Sequence, residues 1–272
     1  MNIAIINNKG GTGKTTTCVN LAAALANSGC HVLLVDLDSQ ASASLSLGVA
    51  RSNLAPSAAQ ILFGSMDAEE AIRNTGVPRL DLLTGQMDLA NTDLMLADVP
   101  GREQRLSRGL SGVKGKYDFI LFDCPPSLTM LSINALMVSE YYIVPMSVEY
   151  LALEGLIGLM EGIDRMKRGM GLKAELLGIV FTCIKPRMIR KQITKKIAGL
   201  IRDHYGKLVF ETEIPKDVRL EEAPAYGKCI FQHADNSRGA KAYVKLAREA
   251  VKRCGIKGKE AEKDVELVED KG

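Results

Sequence analysis

The sequence predicts an α/β protein built on a mainly parallel, twisted sheet with helices on both faces. Short runs rich in Ile, Val and Leu alternate along the chain with longer segments of helical period. These runs are continuously apolar rather than alternating, which is typical of strands covered on both faces. The predicted strands are Asn2 to Asn7, His31 to Asp36, Leu80 to Thr84, Asp118 to Asp123, Tyr141 to Met146, Leu176 to Thr182 and Leu208 to Glu213.

The chain of 272 residues contains no long Pro-, Gly- or Ser-rich linker. We therefore expect one domain over residues 1–256. Residues 257–272 hold four lysines and six acids, and this charged tail is expected to be disordered. The net charge is only +3, no signal peptide or membrane-spanning stretch is evident, and the six cysteines show no CxxC spacing. These features favour a cytoplasmic protein.

The segment between the first strand and the first helix is a glycine-rich loop, NNKGGTGKTT. Its glycines let the backbone fold around an anion, so that N–H groups and the positive end of the helix point at the same oxygens. Lys14 adds a full charge for the outer phosphates, and the Thr15 hydroxyl suits a bridging Mg²⁺. The loop therefore predicts a nucleoside triphosphate site. The expected contacts are Lys9, Gly10, Gly11, Thr12, Gly13, Lys14, Thr15 and Thr16.

Acidic residues follow two other predicted strands. The second strand ends in VDLDSQ, with Asp36 and Asp38, and the fourth ends in FILFDCPPSL, with Asp123 after four apolar residues. A single Asp at a strand end is more often a helix cap or a solvated turn. Here both strands end at the sheet edge that carries the loop, because the strands are parallel. Asp123 is then placed to hold Mg²⁺ beside the loop threonine.

Several motifs together resemble one family. Asn8 replaces the first glycine of the general phosphate-loop pattern and Lys9 precedes the double glycine, so that KGGTGKTT resembles the deviant Walker A loop of the ParA/MinD family. VDLDSQ and DCPPSL resemble the family motifs VDxDPQ and DxPPSL, and VPMSVEYLALEGL resembles the segment after the next strand. IPKDVRLEEAPAYGK is similar to IPRNVRLxEAPSxGK. Over about residues 1–251 the chain is identified as a member of the ParA/Soj-type partition ATPases, P-loop NTPases of the deviant Walker A class.

This resemblance implies roles for individual residues. Lys9 would act across a homodimer on the partner's nucleotide, Lys14 would hold phosphate, and Asp38 would orient the attacking water. Thr15, Asp38 and Asp123 would serve the metal, so ATP and Mg²⁺ are the expected cofactors.

The resemblance also implies a stretch that packs on the base. Pro215 and Asp217 belong to it, although Lys216-Asp217 replaces the commoner Arg-Asn pair, and Ser39 replaces a proline after Asp38. The base is therefore less firmly predicted than the triphosphate.

A basic run lies farther along the chain. Residues 185–196 contain six cations and no acid. If a helix starts just after Pro186, Arg187, Lys191 and Lys195 recur every four residues, which gives one basic stripe. Such a stripe suits phosphates, whereas composition alone also fits an ordinary solvated helix face. The resemblance implies binding to nonspecific double-stranded DNA through Arg187, Arg190, Lys191, Lys195 and Arg219, with Lys216, Lys228 and Arg238 as weaker candidates.

The expected function is therefore an ATP-dependent dimer that binds DNA in its ATP state and segregates plasmids, chromosomes or other cargo with a ParB-like or adaptor partner, at the nucleoid. The main alternative is a MinD-like ATPase that acts on a protein or membrane target. Its basic amphipathic membrane anchor does not match the acidic C-terminal residues of this chain. A cluster-bearing reductase lacks the needed cysteines between Cys30 and Cys124, and no motif outside the loop specifies the small-molecule acceptor of a metabolic ligase.

Overall fold

The computed structural model describes residues 1–149, 152–185 and 192–255. Within these residues, seven strands form one sheet in the order β3-β4-β2-β5-β1-β6-β7. Neighbouring strands are parallel except for the antiparallel pair β3–β4. The strands are β1 (Asn2–Ile5), β2 (Val32–Asp36), β3 (Arg73–Asn74), β4 (Leu80–Leu83), β5 (Phe119–Asp123), β6 (Tyr141–Ser147) and β7 (Glu175–Thr182).

Helices cover both faces of the sheet. Alternate residues of β1 serve the two cores: Ala4 packs into one and Ile3 and Ile5 into the other. All three are fully buried, which explains the continuous apolar character of the strand. Within the described residues the helices are α1 (Lys14–Asn27), α2 (Ser42–Ser46), α3 (Ala58–Phe63), α4 (Ala68–Ala71), α5 (Thr92–Met95), α6 (Arg105–Gly109), α7 (Met130–Val138), α8 (Ala152–Met170), α9 (Gln192–Tyr205), α10 (Val218–Glu222), α11 (Ile230–His233) and α12 (Arg238–Arg253).

The predicted fold class is confirmed, and one predicted strand is wrong. The segment 208–213 forms only an isolated bridge to β7, between Val209 and Ile179. The backbone N–H groups of Glu211 and Thr212 donate to the Glu249 carboxylate instead, at 2.9 and 3.1 Å. The Phe210 N–H still donates to the Ile179 carbonyl of β7 at 2.8 Å, but a side chain of α12 takes the N–H groups of the next two residues, so the pairing does not extend into a strand. The strand that the sequence did not predict, β3, has two residues and is too short for a periodic signal.

The first crossover helix agrees with the sequence. The prediction was Lys14 to Ser28, and α1 ends one residue earlier at Asn27. Gly29 follows with φ +97°, a left-handed conformation that glycine adopts without strain. The predicted tail, residues 257–272, lies outside the described residues.

Candidate nucleotide site

The loop after β1 lies beside the ends of two acidic strands. β5 occupies the position between β1 and β2 in the sheet. In the strand register Asp123 is level with Asp36 on one side and with Ile5 on the other. The predicted convergence of the glycine-rich loop and both acidic segments at one sheet edge is therefore a feature of the fold.

The loop conformation depends on two glycines. Gly11 and Gly13 have φ values of +71° and +79°. Gly13 is the residue before α1, and its carbonyl accepts the first helical hydrogen bond from the Thr17 N–H at 2.8 Å. A Cβ at Gly10 would meet no atom within 4 Å, so contacts within the single chain do not require glycine there.

Neighbouring strands hold the loop from two sides. The Asn7 amide donates to the Pro145 carbonyl on β6 at 2.8 Å, and its oxygen accepts the Lys9 N–H at 3.0 Å. The Thr182 hydroxyl at the end of β7 donates to the Thr12 carbonyl at 2.8 Å. These contacts orient the loop before any ligand is bound. Pro145 and Thr182 are not among the predicted site residues, because neither contact has a local sequence signal.

Lys14 is a buried cation within the loop. It is 7% exposed, and its ammonium donates to the Lys9 carbonyl at 3.0 Å. Burial lowers the pKa of Lys14, while the carboxylates of Asp123 and Asp38 act in the opposite direction. An ammonium has three protons and this bond uses one, so the group retains donors for phosphate.

Asp123 is a fully buried carboxylate, and in the described part of the chain neither of its oxygens has a hydrogen-bond partner. Burial, followed by the charge of Asp36, raises its pKa well above the usual range, and the Thr15 hydroxyl and Lys14 partly oppose the shift. A buried carboxylate without a partner is costly. A hydrated divalent cation would offset that cost, so Asp123 and Thr15 fit the expected Mg²⁺.

Asp36, to which the sequence analysis gave no role, fixes the loop after β2. Its fully buried carboxylate accepts the Ser44 N–H at 2.8 Å, the Ser44 hydroxyl at 2.7 Å and the Asp38 N–H at 3.1 Å. Burial raises the pKa of Asp36 to about 6, although the Ser44 hydrogen bonds favour the charged form. Asp36 therefore orients the backbone of Asp38.

The end of β4 packs closely against the same loop. The Gly85 N–H donates to the Ser44 hydroxyl at 3.0 Å. A Cβ at Gly85 would lie 2.5 Å from the Asp38 carbonyl oxygen and 2.9 Å from the Asp36 Cγ. Only glycine therefore allows this approach without a shift of the Asp38 loop.

The Asp38 side chain is half-buried, and its Oδ1 accepts the Gln40 N–H at 2.9 Å. Asp38 lines a cavity of 310 Å³ together with Pro125, Pro126 and Thr129 of the segment after β5. The cavity offers room beside a carboxylate whose backbone is held in place. Its role in orienting water remains a prediction.

Lys9 points away from the core of the loop. Its side chain is 42% exposed, and the ammonium lies 2.9 Å from a Glu149 carboxylate oxygen after β6. An exposed ion pair of this kind stabilises the fold by only about 0–1 kcal/mol. Lys9 is therefore free to exchange Glu149 for another anion, and its action on a partner's nucleotide remains a prediction.

A second cavity, of 190 Å³, extends from the loop toward the predicted base-binding stretch. Gly13 and Thr16 line one end, and Pro215 and Asp217 line another part. The Asp217 carboxylate is already engaged, because it accepts the N–H groups of Arg219 at 3.1 Å and Gly239 at 2.9 Å. The Asp217 carboxylate thus joins α10 to the first turn of α12. Contacts of Pro215 and Asp217 with a base remain predictions.

The five main predicted DNA contacts lie partly within the described residues. Arg187, Arg190 and Lys191 lie outside the described residues. Lys195 is exposed on α9. Arg219 is paired with Glu222 at 3.1 Å, and Lys216 is paired with Glu221 at 3.7 Å.

No helix among the described residues is both long and apolar enough to cross a membrane.

Known proteins resemble this chain over most of its length. A family model described as an AAA domain matches residues 1–176. The sporulation initiation inhibitor protein Soj of Bacillus subtilis is 40% identical over 248 residues, which cover 91% of this chain and 96% of Soj. The chromosome partitioning protein ParA of Caulobacter vibrioides is 37% identical over 253 residues, which cover 92% of this chain and 94% of ParA.

A solved structure also superimposes closely. Cobyrinic acid a,c-diamide synthase from Mycobacterium smegmatis, with a bound ATP analog and magnesium, has a TM-score of 0.81 and 32% identity, and the match covers 95% of this chain and 96% of that chain. The predictions of ATPase activity and of ATP and Mg²⁺ as cofactors are confirmed at the level of these relatives. Together with the loop and the acidic strand ends, the matches to Soj and ParA establish that this chain belongs to the ParA/Soj family of P-loop ATPases.

Proposed function

We propose that this ATPase forms an ATP-bridged homodimer, binds nonspecific double-stranded DNA in that state, and segregates plasmid, chromosome or other cargo at the nucleoid with a ParB-like partner. The buried, unpartnered Asp123 carboxylate beside Lys14 and Thr15 is the observation that carries the ATPase part. The relatives named for chromosome partitioning support the DNA part.

The loop and its cation bind the triphosphate in this proposal. The backbone N–H groups around Gly11 and Gly13 and the ammonium of Lys14 hold the phosphate oxygens. Thr15 and Asp123 hold the metal, which when bound neutralises phosphate charge. Pro215 contacts the base, which makes Thr16 and Tyr243 its neighbours in the 190 Å³ cavity.

Hydrolysis depends on Asp38. Phosphoryl transfer requires positioning and charge neutralisation more than a strong base. The bond from the Asp38 N–H to Asp36 and the close approach of Gly85 fix the backbone that carries this carboxylate. Because its backbone is already fixed, the Asp38 carboxylate can orient the attacking water without ordering the loop first.

Dimerisation uses the exposed Lys9. Phosphate of the partner's nucleotide competes with Glu149 for its ammonium, so the ion pair of the single chain gives way to one across the interface. In the dimer, the two copies of the basic run 185–196 lie on one assembly. Pairing two weak phosphate-binding surfaces raises the effective concentration of the second contact, and DNA binding becomes tight and salt-sensitive only in the ATP state.

The decisive experiment measures binding to a random-sequence duplex with ATP, ADP or no nucleotide, across a salt series. The variant Arg187→Glu/Arg190→Glu is compared with Arg165→Glu/Arg168→Glu, which makes the same charge change at exposed positions of α8. We expect ATP-dependent, salt-sensitive binding that the first variant loses and the second retains. Absence of DNA binding in every nucleotide state would overturn the proposal and favour a MinD-like protein or membrane target.

The assignment of Asp38 has its own test. Asp38→Ala should abolish ATP hydrolysis while ATP binding and ATP-dependent DNA binding persist. Turnover by the variant at a rate near that of the wild type would show that Asp38 is not the residue that orients water.

A further inference from the structure

Three large apolar side chains are exposed together on the segment that follows β4. Met87 is 59% exposed, Leu94 is 78% exposed and Met95 is 57% exposed. They lie on the 3₁₀ helix Met87–Asn91 and on α5, two short helices that contact each other. A single exposed apolar residue is ordinary, whereas a group of them marks an interaction surface. We call these three residues the α5 patch.

The inner side of this segment fixes the direction of the patch. Leu89, Thr92 and Leu96 alternate with the exposed residues and are buried. The Thr92 hydroxyl donates to the Leu89 carbonyl at 2.7 Å. The Asp93 carboxylate accepts the N–H of Met130, the first residue of α7, at 2.9 Å. The segment therefore cannot turn its exposed apolar side chains inward without losing this packing.

The surface around the α5 patch is acidic. Residues 86–101 contain three aspartates but no lysine or arginine, although the whole chain has a net charge of +3. Within the described residues, Asp88 and Asp98 form no ion pair. The next basic residue along the chain, Arg102, donates to the Ala97 carbonyl. The patch therefore combines exposed apolar area with unpaired negative charge.

The same segment forms part of the wall of the 310 Å³ cavity that contains Asp38. Leu89 and Ala90 line this cavity, together with Pro125 and Thr129 of the segment after β5. The Thr129 hydroxyl oxygen is buried and has no hydrogen-bond partner in the described part of the chain. A ligand on the α5 patch would thus lie beside a cavity that is only partly satisfied by the chain itself.

The chemistry of the patch indicates its occupant. Methionine side chains are flexible and polarizable, so they adapt to the apolar surface of a partner. The nearby carboxylates attract a cationic segment and speed its association. They oppose an anionic lipid surface, and a patch that met its own copy across a twofold axis would bring these acids together. A segment with both apolar and basic side chains fits both features.

We propose that the α5 patch is the docking surface for a basic, amphipathic segment of the ParB-like partner. This inference rests on the proposed function and gives its partner a position on the chain. The apolar side chains of the segment cover Met87, Leu94 and Met95, in the manner of an amphipathic helix on an apolar surface. The basic side chains pair with Asp88 and Asp98 at the rim.

Docking on the patch is linked to hydrolysis through α7. Asp93, next to Leu94, holds the first N–H group of α7. The segment between β5 and α7 lines the cavity of Asp38. A partner that fixes Leu94 therefore fixes this wall, which limits the positions open to the attacking water. The partner accelerates ATP turnover in this way without touching the phosphate loop.

The first test measures peptide binding to the full chain with ATP and Mg²⁺. The probe is a fluorescent helical peptide of about 18 residues, with leucines on one face and lysines on the other. The variant Leu94→Ser/Met95→Ser is compared with Ile157→Ser/Met170→Ser, which removes two apolar side chains exposed on α8. We expect the patch variant to bind the peptide at least roughly tenfold more weakly, and the α8 control to stay within about twofold of the wild type.

Two further measurements separate the apolar and the charged contributions. A peptide of the same composition with scattered leucines should bind the wild type more weakly. The variant Asp88→Asn/Asp98→Asn should weaken binding at low salt, and this difference should shrink as salt is raised. Circular dichroism and thermal unfolding verify that all variants fold.

The readout for hydrolysis is ATP turnover with and without the peptide. Without it, the patch variant and the wild type should hydrolyse ATP and bind duplex DNA equally. The peptide should accelerate turnover in the wild type and in the α8 control but not in the patch variant. Equal peptide binding by the patch variant and the α8 control would overturn the assignment, as would absence of binding by the wild type.

Other occupants give different results. Loss of ATP-dependent dimerisation in the patch variant would assign the surface to a second copy of the chain. Binding to vesicles of phosphatidylcholine and phosphatidylserine that only the patch variant loses would assign it to a membrane. Either result overturns the docking proposal. Failure of the wild type to bind duplex DNA in any nucleotide state would instead overturn the proposed function, and it is measured independently of the peptide.

Discussion

At the carboxyl edge of the sheet the titratable groups Lys14, Asp36 and Asp123 are buried. On α12, by contrast, five cations that we call the α12 ridge are all exposed: Arg238, Lys241, Lys245, Arg248 and Lys252. The sheet edge is assigned to the phosphates of the nucleotide, and Arg238 of the ridge is among the predicted contacts to DNA phosphate. At the sheet edge each charge has a defined environment of strand ends and backbone groups, while the ridge cations have solvent around them. The pKa and the energy of each charged group therefore depend more strongly on its neighbours at the sheet edge than in the ridge.

This difference predicts two kinds of response to mutation. A buried charge interacts through a low effective dielectric, so removal of one group changes the pKa and the free energy of its neighbours. Exposed charges are screened and separated, so their contributions to DNA binding add up. A single substitution at the nucleotide site should therefore abolish ATP hydrolysis, whereas each substitution in the ridge should weaken DNA binding by a similar factor.

The largest expected effect is that of Lys14→Ala. This variant loses the buried ammonium that faces the phosphates, so ATP affinity should fall by roughly 100-fold or more and hydrolysis should be lost. Binding of a fluorescent ATP analogue measures the change. The control is Lys114→Ala, which removes an exposed lysine before β5 and should leave ATP affinity unchanged. Equal affinities for both variants would contradict the role of Lys14.

The next effect concerns the packing of the Asp38 loop. Gly85→Ala introduces a Cβ only 2.5 Å from the Asp38 carbonyl oxygen, so the free energy of unfolding should fall by about 1–3 kcal/mol. Gly158→Ala is the matched control, because a Cβ there meets nothing within 4 Å and alanine favours the helix. Chemical denaturation should show a loss for the first variant and no loss for the second. Similar stabilities would mean that the loop adapts freely.

A pH series separates the buried acids from the rest of the chain. The pKa of Asp36 is raised to about 6 and that of Asp123 is also raised, so the folded state binds these protons more tightly than the unfolded state. Without nucleotide, stability should therefore fall as the pH rises from about 4 through about 6 and beyond.

The substitution Asp123→Asn should flatten this dependence. It removes a buried, unpartnered carboxylate and should raise the free energy of unfolding at pH 7 by about 1–3 kcal/mol, while hydrolysis is lost. Thermal unfolding of both proteins across the pH range measures the difference. A wild type at least as stable as the variant at pH 7 would show that the carboxylate is compensated within the chain.

The smallest effect is expected for one ridge cation. Lys241→Gln should weaken ATP-dependent DNA binding only a few-fold and lower the salt slope by about 0.9. Addition of Lys245→Gln should contribute a similar amount, because the two exposed charges act independently. A salt titration of each single variant and of the pair checks the additivity. Complete loss of DNA binding in Lys241→Gln would show that the ridge cations depend on one another as strongly as the buried groups of the nucleotide site do.

The fold class, the phosphate loop and the two acidic strand ends could all be predicted from the amino-acid sequence. These signals are local: a strand, its loop and the next helix are contiguous in the chain, and parallel strands bring their ends to one edge. The wrongly predicted strand at 208–213 shows the limit of local patterns. Its apolar run is real, but Glu249, more than thirty residues away, takes the backbone N–H groups of Glu211 and Thr212.

The groups that support the site, and the lack of ion pairs at the ridge cations within the described residues, depend on how distant segments pack together. Asn7 meets Pro145 across 138 residues, Thr182 meets Thr12 across 170, and Gly85 meets Ser44 across 41. The α12 ridge has a periodic spacing in the sequence, yet its lack of acidic partners depends on what packs around the helix. The physical reason is the same in each case: contacts between distant segments depend on sheet order and register, which no single stretch of sequence encodes.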